Sequence, residues 1–398
     1  MTILVFNSGS SSIKFSVFEV ASGSNDPELL LDGELSGTGD AGKTLAVSVR
    51  GKARAERKVE GATTLAAQIK LVLDAVDGAG VPKASAVGYR VVHPGAKIQD
   101  HVRVTEEVLR ELESAAEFAP LHDPEAVKAI RETMKRMPDV PHFACFDTVF
   151  HRTMPEEAST YAIPAEYRER GVKRYGFHGL SCESVIRQMR SMGQEQMPKR
   201  MVIAHLGSGC SVTAVLDGAS VDTTMGLTPT GGVVMGTRPG DLDPGLMLYL
   251  LRQQHSGDSA GDVEKMVNHG AGMVALTGLP NDMKGVREAA ATGNASAVLA
   301  LKVFTRSVRK SIGGFAWLLG GLDAIVFTGG IGEHDAATRA EVLLGTTVTL
   351  DSPSNSAHGD SLRLISASDS GTAVFAVPAQ EDLVIALHVV RMSGMGQG

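Results

Sequence analysis

Two arginines in this sequence sit where a guanidinium can be held still. Arg90 lies in YRVVHPG (Tyr89–Gly95) and Arg238 in MGTRPGDLDPG (Met235–Gly245), each beside a strand-like run and a Gly/Pro turn. A planar guanidinium fixed in this way can bind a carboxylate or a phosphate through two parallel hydrogen bonds. Arginine at a turn is also often a solvated surface group, but Arg238, set among glycines, a proline and aspartates, has surroundings better suited to a rigid site. Two small-residue turns point to the same ligand chemistry. FNSGSSSIKF (Phe6–Phe15) runs from an apolar stretch into a Gly/Ser cluster with Lys14 beyond it, and HLGSG (His205, Leu206, Gly207, Ser208, Gly209) repeats the pattern in the second half. Glycine and serine let successive backbone N–H groups converge on phosphate oxygens. Either cluster alone is more often a plain hairpin turn, and the GxxxxGK[ST] loop is absent. Two such turns in one chain could clasp a polyphosphate from both sides.

Three further segments place a polar group where an apolar run ends, the usual address of ligand residues in α/β folds. They are ACFDTVFH with Asp147, RYGFHG with His178, and AQEDLVIA with Glu381. His178 taken alone also fits a satisfied core histidine. No His/Cys group has zinc spacing, so a structural metal is not expected.

The elements that must carry these residues alternate. A strand at Ile3–Phe6, a turn at Asn7–Ser12 and a strand at Ile13–Val20 open the chain; Met201–Ala204, His205–Gly209 and a strand to Leu216 repeat them. Asn7 and His205, Gly9 and Gly207, Val17 and Val215 are all 198 positions apart, as a duplication or two unrelated strand–turn–strand units would give. Helices are expected at Thr105–Glu117, Asp123–Met137 and Lys302–Leu319, a strand at Ala324–Thr328 and a surface loop at Asp351–Asp360. Both halves therefore look α/β.

Bulk properties bound the function. At 398 residues the chain exceeds the size at which one core stops growing, so two domains are expected. A net charge of −7 argues against a broad nucleic-acid footprint, while leaving room for a cleft dominated by a few arginines. Three cysteines, Cys145, Cys182 and Cys210, suggest reduced thiols, and with neither a signal-like N-terminus nor an apolar run of spanning length the expected location is the cytoplasm, away from membranes.

Together the segments resemble the acetokinase family. FNSGSSSIKF resembles its first signature, HRTMP and RYGFHG its central block, and GTRPGDLDPG and FTGGIGEH its later blocks, in the family's order and over nearly the whole chain. The resemblance implies the fold shared by acetate and sugar kinases, actin and heat-shock ATPases: two related ribonuclease H-like α/β domains flanking a nucleotide cleft. It implies an N-terminal domain of residues 1–150 plus 382–398 and a nucleotide-binding domain of residues 151–381. By the same resemblance Asn7 and Glu381 lie by a catalytic magnesium, with manganese as an alternative, and Arg90, Arg238, Asp147 and His178 are catalytic. ATP or ADP would contact Lys14, His205 to Gly209, Asp282, Met283, Lys284, Gly330, Ile331, Gly332, Glu333 and His334. Val92, Leu121, Phe177 and Pro229 would line the pocket for the acetate methyl, with Arg90 on the carboxylate. A homodimer is implied as well. Ser208, Lys284, His334 and the Ala-Gln pair before Glu381 depart from the family's usual residues, all but the last on the nucleotide side.

The implied reaction is reversible transfer of the γ-phosphoryl of ATP to acetate, giving acetyl phosphate and ADP. Such a transfer asks for positioning and charge stabilisation. Acetate, with a pKa of about 4, is already ionised at pH 7 and needs no general base, so Asp147 is expected to orient a neighbour or the metal shell. A propionate or butyrate kinase would share every catalytic residue. An actin-like or chaperone ATPase is the rival of another class, and acetate-independent ATP hydrolysis would mark it.

Overall fold

The computed structural model describes residues 1–8, 12–37, 42–114, 123–193, 197–253 and 258–394. The chain divides into two compact units, Met1–Val149 with Gln380–Gly398, and Phe150–Ala379, so Glu381 belongs to the first.

Among the described residues the first unit holds an eight-stranded sheet in the order β5-β4-β3-β2-β1-β6-β8-β7. The strands are β1 (Thr2–Ser8), β2 (Ser12–Glu19), β3 (Glu28–Ser36), β4 (Lys43–Val49), β5 (Ala55–Val59), β6 (Ala86–Val91), β7 (Val102–Arg103) and β8 (His142–Phe146). β1 is antiparallel to β2 and parallel to β6, and β6 is parallel to β8. These central strands are apolar along most of their length, as burial of both faces requires. Leu4, Phe6, Phe15, Val87 and Phe146 share a core with Ile69, Val72 and Val76 of the helix Leu65–Gly78, whose first turn is capped by Thr64.

The second unit carries a six-stranded sheet, again among the described residues, in the order β11-β10-β9-β12-β14-β13. Its strands are β9 (Arg200–Leu206), β10 (Cys210–Leu216), β11 (Ala219–Thr223), β12 (Ala324–Thr328), β13 (Arg363–Leu364) and β14 (Ala373–Ala376). β9 is antiparallel to β10 and parallel to β12, and β12 is parallel to β14. Without the β4–β5 extension, the first sheet has the strand order and directions of the second. One topology thus occurs twice, and in the second sheet the Gly207–Gly209 turn joins the first two strands.

The expected helices appear as Glu106–Ser114, Asp123–Arg136 and Ala295–Leu318; residues 115–117 of the first lie outside the described residues. The last begins well before Lys302 because Asn294 caps it, accepting from Ala297 N at 3.0 Å, and it buries Ala297, Leu301, Phe304, Val308 and Ile312 along one face. The stretch expected as a loop at Asp351–Asp360 contains a helical turn, Ser352–Ser356. Asp351 caps it, and its buried Asn355 is gripped by the equally buried Arg339.

Candidate active site

In the first unit the chemistry gathers at the carboxyl ends of the parallel strands β1, β6 and β8. Register pairs Phe6 with Tyr89 and Arg90 with Cys145, so Asn7, Arg90 and Asp147 emerge side by side where the ladder stops. Arg90 Nε lies 3.0 and 3.1 Å from the two Asp147 oxygens, and its Nη2 donates to Asp147 Oδ2 at 2.6 Å. Asp147 is 1% exposed, so this clamp is buried on the acid's side. Its Nη1 donates to Asn7 Oδ1 at 3.3 Å, and Glu381 Oε2 stands 4.0 Å from its Nε. Burial works against the guanidinium charge, but Asp147 and Glu381 outweigh it and hold its pKa above the ordinary arginine value. Asp147 takes the Nε–Nη2 edge of Arg90 and Asn7 accepts from Nη1, so the plane of the guanidinium is held from two sides.

Two further acidic groups, Glu381 and Asp382, form the first turn of the helix Glu381–Met392, a favourable end for negative charge. Asn7 Nδ2 donates to Glu381 Oε2 at 3.1 Å and to Asp382 Oδ1 at 2.9 Å, and Ser16 Oγ donates to Asp382 Oδ2 at 2.5 Å. Burial raises the Asp382 pKa. The helix reaches β6 because Gly88 has no side chain: a Cβ there would stand 2.7 Å from Ile385 and 2.9 Å from Val389. The cluster sets three carboxylates, Asp147, Glu381 and Asp382, around one guanidinium, with Asn7 and Ser16 bonded to them. Lys14 pairs with Asn7 across β1–β2 and is exposed; Val92, just past β6, is buried. Leu121 lies outside the described residues.

In the second unit, His178 precedes the helix Gly179–Arg190 with φ 59° and ψ 27°, a left-handed conformation that costs a non-glycine residue about 1–3 kcal/mol. Its Nδ1 lies 2.9 Å from Ser211 Oγ, and its ring stacks on His205 at 4.1 Å between centroids; His205 Nδ1 lies 2.8 Å from Ser181 Oγ. A Cβ on Gly209 would stand 3.3 Å from His178 Nε2 and 3.8 Å from Arg238 Nη1, so both cationic or donor groups converge over that glycine. Arg238 Nη1 donates to the Pro229 carbonyl at 3.1 Å, while Met235 N bonds the Arg238 carbonyl at 3.0 Å and Gly236 N that of Ser208 at 3.2 Å. The arginine turn and the Gly207–Gly209 turn are thus stitched together. Phe177 is buried and Pro229 half-buried.

Beside that turn opens a cleft. Met235, Met273, Val286, Phe304 and Ile331 give it apolar walls, and Gly207, Asn281, Asp282 and Met283 lie along it as well. Asp282 caps the helix Met283–Ala291, accepting from Lys284 N at 3.1 Å and Gly285 N at 3.0 Å; the Lys284 side chain is exposed. Gly330, Ile331, Gly332, Glu333 and His334 form the helix Gly329–His334 directly after β12. Glu333 accepts from Ala379 N at 3.0 Å, and exposed His334 stands 6.5 Å from the ring of His358. Leu206 is fully buried in β9.

Several residues escaped sequence reasoning. Asp382 was signalled only by its tandem with Glu381. Asn281, whose Nδ2 donates to Ser208 Oγ at 2.9 Å, and the serines behind His178 and His205 carry no local motif at all.

Two copies of one α/β topology, each setting polar side chains at the ends of its parallel strands, define a phosphotransferase of the actin-like ATPase fold. The acetokinase family model matches residues 2–387. The acetate kinase of Pseudarthrobacter chlorophenolicus is 41% identical over 402 residues, covering 100% of both chains. Among solved structures, the acetate kinase of Porphyromonas gingivalis is 30% identical with a TM-score of 0.85, covering 98% of this chain and 99% of its own. A propionate kinase from Francisella tularensis is 32% identical with a TM-score of 0.87, covering 97% and 98%. The chain belongs to the acetokinase family and acts as a phosphotransferase on a carboxyl group.

Proposed function

We propose that the chain reversibly transfers the γ-phosphoryl group of ATP to acetate in one direct, in-line step, forming acetyl phosphate and ADP. The observation that carries this reading is Arg90, clamped by buried Asp147 beside Asn7 and Glu381. A guanidinium so held can orient a small carboxylate, which as an ionised nucleophile needs no base. Asp147 therefore aims Arg90 and moves no proton. Arg238 and His178 stabilise the equatorial oxygens of the transferring phosphoryl, and the cleft beside Gly207 takes the base of the nucleotide, with Asn281 bracing Ser208 at its edge. Magnesium, or manganese in its place, would be held by Asn7 and Glu381 and would neutralise charge on the donor phosphates.

The Francisella relative favours a second reading, propionate as acceptor, and Val92, Leu121, Phe177 and Pro229 are the residues proposed to decide between them. Initial rates with acetate, propionate and butyrate test it. An extra methylene is worth about 1–3 kcal/mol in an apolar pocket, so kcat/KM should fall about 10- to 200-fold from acetate to propionate; a preference for propionate would establish the second reading.

A homodimer is proposed from the helix Pro244–Gln253, which buries none of its residues and leaves Leu248 and Tyr249 more than half exposed. Sedimentation equilibrium showing a monomer would overturn it. The cytoplasm is the proposed location: Cys145, Cys182 and Cys210 are buried thiols outside any disulfide, and among the described residues no helix is long and apolar enough to cross a membrane.

A further inference from the structure

His151 has no place in the scheme above, yet both of its ring nitrogens are engaged in a fully buried setting. Nδ1 lies 2.9 Å from Ser220 Oγ on β11, and Nε2 lies 2.9 Å from the carbonyl oxygen of Phe177. A carbonyl can only accept, so Nε2 carries the proton and Nδ1 accepts from the Ser220 hydroxyl. Burial pushes the ring's pKa down to about 4, which keeps it neutral near pH 7. The turn that follows in space is shaped against this ring. Gly176 has φ 74°, and a Cβ on it would stand 2.7 Å from His151 Cδ2 and 2.5 Å from Thr223 Cγ2.

The Phe177 carbonyl belongs to the planar peptide that enters His178, whose φ is measured about the bond leaving that plane. Holding that plane sets the frame from which His178 takes its left-handed turn, a conformation that persists only when its surroundings over-determine it. Two further bonds hold His178 from beyond that peptide: Cys182 N donates to its carbonyl at 3.0 Å, and Ser211 Oγ lies 2.9 Å from its Nδ1.

We infer that His151 is a positioning residue for phosphoryl transfer: through Phe177 it holds the peptide ahead of His178 and so aims His178 Nε2 at the region that Arg238 Nη1 also faces. The inference rests on the reading of His178 as a phosphoryl contact. It predicts that the two amide replacements of His151 behave differently. His151→Gln places an N–H near the position of Nε2 and preserves the bond to Phe177, whereas His151→Asn places one near Nδ1 and abandons it. In folded protein, His151→Asn should lower kcat by about 10²-fold with little change in KM for acetate or ATP, while His151→Gln should stay within about threefold of wild type. Equal losses in both, or wild-type kcat in His151→Asn, overturn the inference. Imidazole ¹⁵N shifts of the wild-type enzyme give a test that needs no variant to fold: a neutral Nε2–H tautomer at pH 7 is required, and an Nδ1–H tautomer or a cation overturns it. Wild-type enzyme that fails to phosphorylate acetate would refute the acceptor assignment, and the tautomer would still decide the role of His151.

Discussion

Replacing Asp147 by asparagine removes the charge that aims Arg90 while keeping nearly the same shape. The carboxylate is 1% exposed and meets the guanidinium through Nε and Nη2, with its shortest contact at 2.6 Å. An amide in its place offers one oxygen and turns an N–H toward a group that can only donate. Breaking a buried pair from one side costs about 3–5 kcal/mol. The Arg90 side chain retains 17% exposure, and Glu381 stands 4.0 Å away, so water and that carboxylate recover part of the loss. The lower end, about 3 kcal/mol, is therefore expected. At about 1.4 kcal/mol per decade, an Arg90 that swings toward Glu381 should lose acetate by about 10²-fold in kcat/KM, mainly through the KM for acetate. Urea denaturation followed by circular dichroism and initial rates at varied acetate measure the two effects. A folded Asp147→Asn enzyme with kcat/KM for acetate within threefold of wild type would refute the reasoning.

Arg238→Ala should lower kcat by about 10³-fold, the lower end for an arginine on a transferring phosphoryl, and a folded variant within tenfold of wild type would remove it from that role. Glu381→Gln should raise the magnesium concentration needed for half-maximal rate and cut kcat; an unchanged metal dependence would exclude Glu381 as a metal partner. His151, neutral when folded down to about pH 4 but titrating near 6.5 when unfolded, binds fewer protons in the native state between those values. Native stability should therefore fall by about 3 kcal/mol as pH drops from 6.5 to 4, a loss that His151→Gln escapes, so their difference in urea midpoint should shift with pH. A constant difference would contradict the assignment.

Much of this was legible from local pattern. Ala324–Thr328 is a strand with those bounds because five apolar or β-branched residues precede a glycine pair, and the Gly/Ser turns at Asn7 and His205 mark the same strand junction in both sheets. Arg90 and Arg238 stood out because turn residues surround them. What escaped depends on partners distant in sequence. The clamp on Arg90 comes from 57 residues away, and the bond between Asn7 and Asp382 spans 375. Asp351–Asp360 has the composition of a loop, and it contains a helical turn because Arg339, buried and without a carboxylate in its described bonds, hydrogen-bonds Asn355 and the carbonyls of Gly332 and Glu333. Composition cannot reveal such an anchor.

The central claim is that ATP is consumed only by passing its γ-phosphoryl to acetate. ADP and acetyl phosphate measured together, in one reaction mixture with acetate varied from zero, test it most directly. The two products should form one for one at every acetate concentration, and ADP release should fall to background when acetate is left out. ADP released at the same rate without acetate, or without matching acetyl phosphate, would contradict the claim and identify an ATPase of the same fold.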